Sequence, residues 1–221
     1  MDAVPARVSE YADQVVAYVR RALGVALEYD SDTLPLLDHY LRTVPADQPA
    51  TTTLLIATSG AYFGEVVRRR LGGRWEVPIG DTGVSHGNGQ DLAVPPFEGA
   101  DWRMVLPTGL SFSPAGIVAS AIAQADLDDL DSEIDAPARM RPHVQQALAR
   151  MGELTVEEYY SLCGRLDTLE HVSEVLVAVA AQLAEQQNPA ADDGDDDDAQ
   201  EQAPDAAADV QGSAGSAGNA N

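Results

Sequence analysis

Residues 50–77 read ATTTLLIATSGAYFGEVVRRRLGGRWEV, and the periodicity changes partway along. Ile56, Gly60, Phe63, Gly64, Val67 and Leu71 recur at steps of three and four, which predicts a helix over about Ala50 to Leu71. Gly72-Gly73 is a C-terminal stop, because glycine takes the left-handed conformation that closes helices without a Cβ penalty. Trp75-Glu76-Val77 then alternates at period two, the signature of a strand. A helix running straight into a strand, with further helical patterns on both sides, predicts an α+β fold.

The faces of this helix differ in chemistry. Gly60 and Gly64 lie four apart on the apolar face, and each costs about 1 kcal/mol of helix stability against alanine. Close approach of another element to the bare backbone is the usual reason for keeping them. The adjoining face carries Thr58, Tyr62, Glu65 and Arg69. Glu65 before Arg69 is the favourable order for an i, i+4 ion pair, worth about 0.3–0.5 kcal/mol if exposed. Two readings stand: a surface pair beside core glycines, or a polar binding site built from Tyr62, Glu65 and Arg69. Arg68, Arg69, Arg70 and Arg74 place four of the thirteen arginines within seven residues, where the helix dipole favours positive charge. That patch offers an acidic partner, or the chain's own acidic tail, a place to dock.

Upstream, Val8, Ala12, Val15, Val19, Ala22, Leu23 and Ala26 line one face of a helix running from about Pro5 to Leu27. Ser31 reads as the N-cap of a second, with Asp32 in its first turn, Leu34, Leu37, Leu41 and Val44 behind, and Pro45 and Pro49 closing it. Downstream, Trp102 to Leu106 is a second strand and Leu92-Ala93-Val94 a weaker candidate. The latter sits within a glycine- and proline-rich stretch, Pro78 to Asp101, long enough to be functional, disordered or to hide a strand. Ser113-Pro114 is an N-cap followed by proline at the first helical position, opening a helix through Ala125. Asp126 to Asp135 carries six acids in ten residues and reads as an exposed connection. Helical pattern returns over Pro137 to Arg150, and Thr155-Val156-Glu157-Glu158 fits a capping box that starts another helix. Leu169, Val172, Leu176, Val179 and Leu183 mark the stripe of the last helix, before Asn188-Pro189. The expectation is six or seven helices around a small, mainly antiparallel sheet, without internal repeats.

Composition narrows the chemistry. The 221 residues carry 36 acids and 13 bases, a formal charge of −23, and every base is arginine. Without lysine there is no P-loop lysine, no Schiff-base lysine and no kinase strand lysine. The one cysteine, Cys163, excludes an internal disulfide and a cysteine-based zinc cluster. Acidity argues against duplex nucleic acid, since phosphate neutralisation needs basic surface. Met1-Asp2 opens without a basic n-region or an apolar run. The longest uncharged stretch, Met104 to Ala125, is broken by prolines, glycines and serines and reads as strand, turn and helix. A cytoplasmic protein without a membrane partner is expected. Residues 189–221 hold nine acids, no base and one aliphatic side chain larger than alanine, Val210. Such a segment buries too little apolar surface to offset its ordering entropy, so a disordered acidic tail is expected beyond a single domain spanning 1–188. Removing those nine acids leaves 27 against 13 arginines, so the body itself stands at −14.

Motifs with chemical potential are few. Gly83-Val84-Ser85-His86-Gly87 spells G-x-S-x-G, the turn that exposes a nucleophilic serine in hydrolases. The following Asn88-Gly89-Gln90-Asp91 and Pro95-Pro96 cannot open the helix that motif needs. His39, His86, His143 and His171 never pair at i, i+4, so no H-E-x-x-H metal site exists. No calcium-loop register fits the acidic run: one places leucine at the fifth position, another places Ile134 where the glycine belongs. Cys163 lies among Tyr159, Leu162 and Leu166 at helical spacing, the setting of a buried, inert thiol.

Gly60-Ala61-Tyr62-Phe63-Gly64-Glu65-Val66-Val67-Arg68-Arg69, followed by Gly73-Arg74-Trp75, resembles a motif of uncharacterised bacterial proteins. Leu27-Glu28-Tyr29-Asp30-Ser31 leading to Leu34, Leu37 and Asp38, then Trp102-Arg103, Leu110 to Pro114, and Glu158-Tyr159-Tyr160-Ser161 with Arg165-Leu166 are similar too. The resemblance spans about residues 8–185. It implies a compact single domain and no activity. Taken together, the residues point to a non-enzymatic protein-interaction or regulatory module without cofactor or metal, its binding candidates being Tyr62, Glu65, Arg68, Arg69, Arg70 and Arg74. The alternatives are a small hydrolase using Ser85 and a small-ligand binder using the Tyr62, Glu65 and Arg69 face.

Overall fold

The computed structural model describes residues 3–43, 48–78, 97–127 and 130–187. Helix α1 (Ala6–Leu23) buries Val8, Ala12, Val15 and Val19 completely. It stops at Leu23, short of the expected Leu27, because Gly24 turns left-handed at φ 74°. Leu27 still reaches the core from the following loop. The next helix is capped one residue earlier than expected: the Asp30 carboxylate, not Ser31, accepts the Thr33 N–H at 3.0 Å. A 3₁₀ turn over Ser31–Thr33 then feeds α2 (Leu34–Arg42), whose Leu34, Leu37 and Leu41 are buried. Val44, expected on the same stripe, lies outside the described residues.

Helix α3 (Pro49–Leu71) is the axis of the molecule, and Gly72 closes it at φ 76°. Every residue from Leu55 to Arg68 is buried, so the helix is covered all round. Helix α1 packs along it, and so does α4 (Pro114–Ala123). The paired glycines do what their spacing suggests. A Cβ on Gly60 would lie 2.9 Å from the Ala115 backbone, and one on Gly64 would collide with the Trp75 indole.

The sheet is small and antiparallel, in the order β1 (Arg74–Glu76), β2 (Arg103–Val105), β3 (Ser111–Phe112). Trp75 faces Met104, and Met104 faces Phe112. Strand β3 is too short to show a period. Leu92-Ala93-Val94, and with it residues 79–96, lies outside the described residues.

Ser113 caps α4 by accepting the Gly116 N–H at 3.1 Å. The acidic stretch that follows is more than an exposed connection. The Asp131 carbonyl occupies the space a Gly116 side chain would need, Ser132 is buried, and Asp135 pairs with Ser111 through two backbone hydrogen bonds of 2.8 and 2.9 Å. Arg103 fastens it from β2, reaching Asp131 at 3.1 Å and Asp135 at 2.7 Å.

Helix α5 starts at Arg141 rather than Pro137, since residues 137–140 form a turn, and runs to Arg150. The Thr155 capping box is present, but the helix it opens, α6 (Val156–Tyr159), is a single turn. Helix α7 (Leu162–Gln187) buries Leu162, Leu166, Leu169, Val172 and Leu176. Beyond that it emerges: Val177 is exposed, and so is Leu183, which the stripe placed inward. The described part of the chain is thus an α+β fold of seven helices and a three-stranded antiparallel sheet. One hydrophobic cluster runs through it from Val8 to Leu176.

Candidate functional site

The residues singled out on α3 come together, but as fastenings. Tyr62 is fully buried, and its hydroxyl accepts the Tyr29 N–H at 2.9 Å and lies 2.8 Å from Thr33 Oγ1. Tyr29 itself holds a left-handed backbone at φ 58°, stacks at 4.8 Å on Tyr62 and donates from its hydroxyl to Asp13. Burial pushes both phenols above their ordinary range, with the Asp13 carboxylate adding to the shift on Tyr29.

Glu65 is buried, which removes the surface-pair reading. Its closest partner is Arg68, one residue before the expected Arg69. Arg68 forks onto it, with Nε 2.9 Å from Oε1 and Nη2 3.0 Å from Oε2, and Trp75 Nε1 donates to Oε1 at 2.6 Å. Arg69 keeps the expected i, i+4 ion pair at the longer distance of 3.9 Å, its guanidinium lying over the Tyr29 ring, 4.3 Å from the centroid. A bidentate fork plus an indole donor satisfies a buried carboxylate far better than one exposed arginine would. The remaining arginines form an exposed row: Arg70 bonds Glu170 at 2.7 Å and Arg74 bonds Glu76 at 2.8 Å. Ser85 and His86 lie outside the described residues.

Two buried charges escaped the sequence reading. Asp38, on α2, accepts the Leu162 N–H at 2.9 Å and the Cys163 N–H at 3.5 Å, so it caps α7 from a different helix. Burial raises its carboxyl above the ordinary value, and those two donors oppose the rise. Burial, followed by the Asp38 charge, pushes the Cys163 thiol up to about 12, which keeps it protonated and unreactive. The other is Arg165, 6 % exposed, with no hydrogen-bond partner for Nε or Nη2 among the described residues. Its signal was available: Arg165 falls between Leu162 and Leu169 on the apolar stripe of α7, where a charge has to be accounted for.

Next to Arg165 the surface is apolar. Leu148, Met151, Leu154, Val156 and Tyr159 line an open groove of 400 Å³ where α5 turns into α6. Val156 is 64 % exposed, and Leu148, Leu154 and Tyr159 are each above 40 %. Among the described residues no group of three or more His, Cys, Asp or Glu is placed to hold a metal, and no helix is long and apolar enough to cross a membrane.

Fold and surface define a helical α+β domain whose α3 polar cluster is closed and whose α5–α6 corner is open. No family model, no curated protein and no solved structure matches the chain.

Proposed function

We propose that this chain is a non-enzymatic protein-interaction or regulatory module of the cytoplasm, and that it engages its partner through the α5–α6 ledge. The observation that carries the reading is the run of large apolar side chains, Leu148, Leu154, Val156 and Tyr159, left open around one groove. A contiguous apolar patch rimmed by polar residues marks an interaction surface more often than isolated exposed leucines do. The exposed Glu153, Glu157 and Glu158 are neighbours in sequence of its lining residues, Glu157 paired with Arg42, on a protein of formal charge −23. The fitting partner is therefore a protein segment with an apolar face and basic flanks, steered by charge and held by burial. The α3 arginines have less to offer a ligand: Arg68 is consumed by Glu65, and Tyr62 by Tyr29 and Thr33.

A paired capture experiment tests this. Unaltered protein and a Leu154→Glu, Val156→Glu double variant are used side by side as bait in the native host's lysate. Both residues are exposed, so the variant should keep its thermal midpoint. The expected result is a basic partner retained by the first bait, lost from the second, and weakened by salt. An identical set of retained proteins would show that the ledge is not the interface.

A further inference from the structure

Arg165 poses a physical problem that the other described residues do not solve. A guanidinium stays protonated under all ordinary conditions and carries five N–H donors in a fixed plane. This one is buried, and neither Nε nor Nη2 has a partner among the described residues. The Tyr159 ring lies 4.2 Å from its central carbon and the Tyr160 ring 5.7 Å away. Aromatic faces return only part of what a charge loses on leaving water, and they satisfy no N–H group. Elsewhere in this molecule the same problem is solved in full, as Arg68 is by Glu65.

The missing partner has somewhere to sit. Arg165 lines a half-enclosed cavity of 450 Å³ between residues 126–127 and 130–134, α5, α6 and α7. Its walls are about half hydrocarbon, supplied by Leu130, Ile134, Val144, Leu148 and Val172, and about half polar, with Ser132 and Thr168 among the polar residues. That volume lies in the ordinary range for small-molecule sites, which combine hydrocarbon lining with a few placed polar groups. Asp126, Asp131 and Glu133 stand at the same cavity, and Asp131 is already tied to Arg103 at 3.1 Å. Those acids select the ligand's charge. A dianion such as phosphate would gain Arg165 and be repelled by several carboxylates, whereas a single carboxylate matches the arginine fork and carries less charge past the acids.

We propose that this cavity binds a small apolar monocarboxylic acid, its carboxylate on the Arg165 guanidinium and its hydrocarbon against Leu130, Ile134 and Val144. Tyr159 and Leu148 belong both to this cavity and to the α5–α6 groove, so an occupant would stiffen one wall of the ledge. Binding itself does not depend on the ledge having a partner.

The test is a titration of the full chain, followed by nitrogen-15 and methyl NMR, with hexanoate, hexanol and inorganic phosphate as probes. Hexanoate should shift the Arg165 Nε–H and the Val144 and Leu148 methyl signals saturably. Hexanol, with the same hydrocarbon and no charge, should bind at least tenfold more weakly, and phosphate should not compete. Arg165→Met should abolish the preference for hexanoate over hexanol. If that variant does not fold, the comparison of hexanoate with hexanol on the unaltered chain decides alone. Equal binding of the two probes, displacement of hexanoate by phosphate, or no saturable shift would each overturn the proposal.

Discussion

Gly64 shows how much one absent side chain can organise. The Trp75 indole fills the space where its Cβ would be, and from there its N–H reaches Glu65, which holds Arg68. A strand, a helix and a buried ion pair thus meet at a single hydrogen atom. Replacing Gly64 with leucine should destabilise the domain by about 1–3 kcal/mol, because a rigid indole and the Pro114 ring leave no room to adjust. Urea unfolding measures this directly, and an unchanged midpoint would mean that the Trp75 contact is not maintained in solution. Gly60 acts on the same principle, with backbone rather than a ring as the neighbour.

At the scale of elements, Asp38 is a buried tie across 124 positions of sequence, joining α2 to the start of α7. Its carboxyl is raised above 3.8 by burial, so between the ordinary value and the raised one the folded state holds a proton that the unfolded chain has released. Its contribution is therefore full at low pH and declines as pH rises through the folded value. The stability difference between the unaltered protein and Asp38→Asn should be largest near the ordinary carboxyl value and shrink toward neutrality, read from urea midpoints across that range. A difference that grew with pH would show that the two N–H bonds outweigh burial. How much was legible in the residues follows the same division. The helices α1, α3 and α4 could be read because their signals are local: apolar spacing in α1 and α3, the closing Gly72 of α3 and the capping Ser113 of α4. Strand β3 could not, since two residues have no period and its pairing depends on Met104. The acidic stretch was misjudged for a related reason: Gly116, fifteen positions before Asp131, supplies the gap into which it docks. On α3 the residues Tyr62 and Glu65 were identifiable as unusual, but their partners Tyr29, Thr33 and Trp75 come from other elements. Arg165 was readable only once the apolar stripe of α7 was begun at Leu162 rather than Leu169.

For the whole molecule the governing quantity is charge. The tail, residues 189–221, lies outside the described residues and carries nine acids and no base. Deleting it should leave the thermal midpoint nearly unchanged. At low salt the deletion should also strengthen an acidic ligand's binding at Arg69, Arg70 and Arg74, whose exposed ion pairs are worth about 0–1 kcal/mol and exchange readily. The effect should fade once the Debye length falls below about 8 Å. NMR spectra of the two forms at low salt provide the check: arginine-patch shifts that vanish on truncation support docking, and identical body spectra would leave the tail a solubility device. The two tryptophans have an optical consequence. Trp75 and Trp102 stand edge to face at 6.3 Å, and Tyr11 abuts Trp102 at 5.4 Å, so the chain's whole indole emission arises at one seam between α1, α3 and the sheet. Far-ultraviolet dichroism, by contrast, is weighted toward all seven helices. The protein thus carries two intrinsic spectroscopic clocks, one local and one global, and any lag between them times the parting of the sheet from its helices.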